Sequence, residues 1–123
     1  MEVVRWAEDS EVESINSCDV GVMPLLDSAW ERGKCGYKLI QYMACGLPVV
    51  ASPIGVNKEI VRTGENGYLA DSCNQWVDAL SELLTNSCMR AEMGRQGRRR
   101  VEEEYCVQQV APRLLGLLRE ALN

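Results

Sequence analysis

Histidine is absent from the 123 residues, and so is phenylalanine. Without an imidazole the chain has no histidine general base, no Ser–His or Cys–His nucleophile and no His-containing zinc site. Aromatic residues make up 6%, so aliphatic side chains must build the core. Positive charge is the minority sign: 13 Lys and Arg stand against 18 Asp and Glu, a net charge of −5. That balance lacks the basic footprint of a nucleic-acid partner. No apolar run approaches the roughly 20 residues of a transmembrane segment, and no basic-then-apolar leader opens the sequence. The Asp-x-Asp, CxxC and GxGxxG patterns are missing, and Gly33-Lys34 lacks the upstream glycine of a P-loop. The expectation is a cytoplasmic chain with no metal and no organic cofactor.

Hydrophobic residues at 46% suffice for one domain, 1–123, since a chain near 150 residues hides roughly 70% of its unfolded surface. Six cysteines, at 18, 35, 45, 73, 88 and 106, have wide, irregular gaps. They read as reduced thiols, several of them small hydrophobes on apolar helix faces.

Short apolar runs at residues 3–6, 19–25, 48–52 and 68–70 predict strands. Helices are expected at about 10–17, 35–45, 58–63, 87–105 and 107–122, with another opening at Ser72 and carrying Trp76, Ala79, Leu80, Leu83 and Leu84 on one face. Ser10 with Glu13 and Ser72 with Gln75 match the capping box. Residues 26–35 read as a polar loop, and Asn66-Gly67 as a turn. Strands alternating with helices predict an α/β fold, a partial Rossmann-like three-layer unit with short parallel strands and C-terminal helices packing back over them.

The chemistry concentrates between 30 and 41. A strand ends near Leu25, a loop with Gly33 and Gly36 follows, and a helix then begins. A helix start offers unpaired amides and a positive dipole end, the ingredients of an anion site. Glycines let the backbone approach closely, and Lys34 and Lys38 add positive charge. Glu31 and Gln41 add groups suited to sugar hydroxyls. Each contact is worth roughly 0.3–2 kcal/mol, so several must act together. The physics describes a phosphate-plus-hydroxyl site; the bland alternative is a solvated loop whose lysines face water.

The run Asp19-Val-Gly-Val-Met-Pro-Leu resembles the C-terminal domain of family 4 glycosyltransferases. So does Gly33-Lys-Cys-Gly-Tyr-Lys-Leu-Ile-Gln-Tyr-Met-Ala-Cys-Gly-Leu-Pro-Val-Val-Ala-Ser, and the stretches at 53–61 and 64–70 follow in the same order and spacing. The resemblance implies a GT-B architecture, two Rossmann-like domains facing across a cleft. This chain would be the second half of the donor-binding domain of an enzyme roughly three times longer. It implies a nucleotide-sugar donor, UDP- or GDP-linked, and a role in sugar transfer, often in polysaccharide biosynthesis. In that family a Glu-x7-Glu element frames the helix start, the first Glu reading the sugar and the second the ribose. Here the second falls on Gln41 and the first on Gly33, with Glu31 offered as a substitute two residues upstream. Lys34 and Lys38 resemble a Gly-Lys-x3-Lys variant suited to a diphosphate, contacted also by the backbone of Cys35, Gly36 and Tyr37. No catalytic residue is assigned.

In the 3-2-1-4-5-6 strand order, two strands belong between the runs at 3–6 and 19–25. Their absence predicts an open strand edge and a homo-oligomer that covers it. The alternative function, from a different class, is a non-catalytic binding or assembly module that self-associates or complements another chain. Elsewhere, Arg98 with Glu102 and Arg99 with Glu103 read as i,i+4 ion pairs. Trp76 reads as core, and Trp30 as a candidate ligand contact. Asp19 is expected to bind backbone amides, and the acidic cluster at 8–13 to face water.

Overall fold

Residues 3–123 are described by a computed structural model. Three parallel strands, β1 (Gly21–Met23), β2 (Val49–Ala51) and β3 (Gly67–Leu69), lie side by side in that order. All three residues of β2 are fully buried, because the sheet is covered on both faces and its central strand has no wet side. Successive residues alternate between those faces. Val49 and Ala51 join Leu39, Met43, Ile60 and Val101 in one cluster. Val50 joins Ala70, Ala79, Leu83 and Met93 in the other. The α/β three-layer expectation therefore holds, with apolar packing on each side of a small parallel sheet.

Helices α1 (Glu11–Asn16), α2 (Ala29–Arg32), α3 (Tyr37–Ala44), α4 (Asn57–Ile60), α5 (Cys73–Thr85) and α6 (Ser87–Arg100) surround the strands. A π-helical segment, Val101–Tyr105, continues α6, and α7 (Val107–Leu122) follows. The lengthened turn is closed by the Cys106 amide donating to Val101 O at 2.9 Å. Helix α6 crosses the end of α3 so closely that a Cβ on Gly94 would lie 1.9 Å from Gly46 O; only glycine permits that approach.

The structure departs from the sequence expectations in several places. Residues 3–7 form no strand. The box at Ser72 forms, with the Gln75 amide donating to Ser72 Oγ and the Ser72 amide to Gln75 Oε1, both at 3.3 Å. The one at Ser10 does not: its hydroxyl donates backward to Ala7 O, and a 3-10 turn over Glu8–Ser10 leads into α1 instead. The polar loop contains α2, capped by Ser28 Oγ accepting from the Glu31 amide. Asn66 is buried rather than at a surface turn, its side chain accepting from the Arg62 amide and donating to Ile60 O. All six thiols are free and four of them are exposed, so these four are not core hydrophobes. Asp19 pairs with Arg90 at 3.6 Å. Helix α7 does not pack back over the sheet; no residue of it is buried.

Candidate functional site

The carboxyl ends of β1 and β2 are tied together by Ser52. Its amide donates to Met23 O at 3.1 Å, and its hydroxyl accepts from the Leu25 amide at 2.9 Å. Asn57, wholly buried at the start of α4, donates to Ser52 O at 3.1 Å. These bonds fix where the chain leaves the sheet after Pro24. Carboxyl ends of parallel strands are where open α/β sheets bind ligands.

From there the chain passes through α2, held by Asp27 accepting from Arg32 Nε at 2.6 Å and Nη2 at 3.0 Å. Those hydrogen bonds keep the Asp27 carboxyl below its ordinary range. At Gly36 the backbone turns left-handed, φ 68°, and α3 begins. No side chain caps α3 and no acidic residue lies in its first turn. The first two helical amides, of Tyr37 and Lys38, have no acceptor within the helix by construction. Leu39 and Met43 bury the opposite face of α3 in the core, which anchors the direction of its dipole.

A cleft of about 570 Å³ opens at this helix start. Its lining runs from Val22 to Leu25 along the end of β1 and from Gly33 to Lys38 around the loop. Six of the eight residues expected from sequence thus meet in one place: Gly33, Lys34, Cys35, Gly36, Tyr37 and Lys38. Glu31 and Gln41 do not line it. Glu31 sits on α2 with Oε2 shielded from solvent and 2.7 Å from Lys34 Nζ, so its carboxylate is engaged with a lysine of the cleft. Gln41 lines a second, smaller cleft of about 210 Å³ between α3, α1 and residues 4–7. Lys38 lines both clefts, and among the described residues no carboxylate lies within ion-pair distance of it.

The second cleft also contains Trp6 and Tyr42. The Trp6 indole N–H donates to Glu11 Oε1 at 3.2 Å, and the ring is 70% exposed. Burial, reinforced by Cys18, raises the Tyr42 phenol above its ordinary value. Sequence reasoning put Trp6 in a strand and singled out Trp30, which is exposed and lines neither cleft. The signal for the second cleft was available in the i,i+3 spacing of Lys38 and Gln41, which places them on one side of α3. Among the described residues no group of three His, Cys, Asp or Glu is placed to hold a metal ion, and no helix is long and apolar enough to cross a membrane.

In sequence and fold the chain is similar to known glycosyltransferases. A sequence model of the family "Glycosyl transferases group 1" matches residues 1–86. A D-inositol 3-phosphate glycosyltransferase of Paenarthrobacter aurescens is 32% identical over 109 residues, covering 87% of this chain and 25% of that protein. Spore coat protein SA of Bacillus subtilis is 35% identical over 78 residues, 61% of this chain and 21% of its own length. Among solved structures, the C-terminal domain of a group 1 family glycosyl transferase, LpcC, from Francisella tularensis superposes with a TM-score of 0.68 at 26% identity. That match covers 85% of this chain and 53% of that domain. Sucrose-phosphate synthase from Thermosynechococcus elongatus shares the fold, with a TM-score of 0.73 at 24% identity over 89% of this chain and 27% of that one. The chain spans about a quarter or less of the length of these two curated relatives.

Proposed function

The chain belongs to the group 1 glycosyl transferases, and from that premise we propose that its larger cleft holds the diphosphate of a nucleotide-sugar donor. The observation that carries the reading is the start of α3, where two amides without helical acceptors and the Lys34 and Lys38 side chains border one cleft at the carboxyl end of β1. A diphosphate there accepts hydrogen bonds from the Tyr37 and Lys38 amides and is flanked by two ammonium groups. The glycines at 33 and 36 leave the backbone uncovered. The contact to Lys38 extends the ligand toward the second cleft, where Gln41 can bond ribose hydroxyls and the exposed face of Trp6 can stack on the base. This arrangement runs from phosphate to nucleoside along one side of α3.

Glu31 takes a different role from the sugar-reading one: it holds Lys34 at the rim. In sugar transfer, the contribution of this piece is to stabilise the negative charge that builds on the departing nucleoside diphosphate. Cytoplasmic location and a place in polysaccharide assembly are part of the same proposal.

Isothermal titration with UDP and GDP tests the site. Saturable binding is expected for one of them, weakened about fivefold, or about 1 kcal/mol, by Lys34→Ala or Lys38→Ala. Uridine and guanosine, which lack the phosphates, should not distinguish the variants from the parent chain. Equal affinity of parent and both variants for the diphosphates would contradict the proposal.

A further inference from the structure

The smaller cleft holds one carboxylate among the described residues that line it, Glu11. Glu11 stands in the first turn of α1, and its Oε1 accepts the Trp6 indole N–H at 3.2 Å. A carboxylate offers about four lone-pair sites, so Oε2 and the second site of Oε1 stay open. Among the described residues no cation lies within ion-pair distance of it. The indole bond sets this carboxylate at the edge of a ring that is itself exposed to the cleft. A flat ligand stacked on the Trp6 face therefore meets Glu11 at its own edge. Arg5 is on the same lining and brings N–H donors to it.

Resting on the reading of the two clefts as a nucleotide-sugar site, we propose that the base taken there is guanine, read by Glu11. Guanine presents two adjacent donors on its pairing edge, N1–H and N2–H, and a carboxylate accepts both side by side. Its O6 and N7 are acceptors of the kind that arginine serves. Uracil has one donor, N3–H, between two carbonyl oxygens, so pairing it with a carboxylate sets a carbonyl oxygen against negative charge. Adenine and cytosine place a bare ring nitrogen beside the amino group, with the same repulsion. Glu11 thus selects guanine by attraction and rejects the other bases by unpaired acceptors.

Isothermal titration of the 123-residue chain with GDP, inosine diphosphate, UDP and ADP tests this. GDP is expected to bind tightest, with UDP and ADP about tenfold weaker or more. Inosine diphosphate, which lacks only the 2-amino group, should fall between them, and it makes the test without any substitution. Glu11→Gln and Glu11→Ala should each reduce the ratio of GDP to UDP affinity to about twofold or less. Lys34→Ala should weaken GDP and UDP together and keep the ratio. UDP or ADP binding as tightly as GDP, each weakened by Lys34→Ala, overturns the guanine assignment and leaves the diphosphate reading standing. Inosine diphosphate binding as tightly as GDP, or a GDP preference that survives both Glu11 variants, overturns the two-bond contact with Glu11. Binding of no diphosphate, or binding indifferent to Lys34→Ala and Lys38→Ala, overturns the underlying reading and the guanine assignment with it.

Discussion

At Gly36 the backbone takes φ 68°, and a Cβ there would lie 2.4 Å from Ile60 Cδ1 and 3.2 Å from Val56 Cγ1. Both facts bear on the site, because this residue aims the first amides of α3 at the cleft. Gly36→Ala should cost about 2–3 kcal/mol in urea unfolding, combining a left-handed penalty of about 1–2 kcal/mol with the displacement of a core side chain. A loss below about 0.5 kcal/mol would mean that the turn is not held as described. The two lysines were legible in the sequence because a glycine loop before a helix is a local pattern. The pairing of Glu31 with Lys34 was not, since it depends on which way one turn of α2 projects a side chain. That turn is set by the Ser28 cap and the Asp27–Arg32 pair, neither of which a periodicity argument resolves.

Among the elements, α6 does the most to hold the helices in place, and it does so through arginines. Arg90 Nη1 donates to Leu83 O at 2.8 Å and Leu84 O at 3.0 Å near the end of α5. Arg98 donates to Ala44 O at the end of α3, and Arg100 Nη2 to Glu59 O at 2.8 Å in α4. Three helix carboxyl ends, each with orphan carbonyls and a negative dipole end, thus receive cations from one neighbour. Arg90→Ala should lower stability by about 1–2 kcal/mol, read as a shift in the urea midpoint with unchanged slope. The same change at Arg95, whose partner is Glu92 at 2.7 Å on the exposed side of α6, should stay within about 0.5 kcal/mol. From sequence, the arginine-rich stretch reads as an ion-pair ladder. Arg98–Glu102 at 2.7 Å and Arg99–Glu103 at 2.8 Å fit that reading. The capping contacts were hidden because they span 41 and 54 positions in sequence for Arg100 and Arg98.

For the whole molecule, the alternation of short apolar runs with helices was enough to give a parallel sheet covered on both faces. It succeeded at β2 because a strand buried on two sides is apolar at every position. It failed at residues 3–6, where an apolar run alone does not make a strand without a neighbour to pair with, and at α7, whose clean apolar stripe predicted burial that this fold does not provide. The candidate site divided in the same way. Residues within one loop and the adjoining first helical turn came together as expected, whereas Gln41, one turn further, opens onto a separate cleft.

The central claim is that the start of α3 binds the diphosphate of a nucleotide-sugar donor. The most direct measurement is an amide NMR titration of the chain with UDP, GDP and ADP. Saturable shifts are expected to centre on residues 33–38, extend to Gln41 and the Trp6 indole N–H, favour one base, and shrink with Lys34→Ala. An absence of shifts at millimolar nucleotide, or shifts centred away from the start of α3, would contradict it.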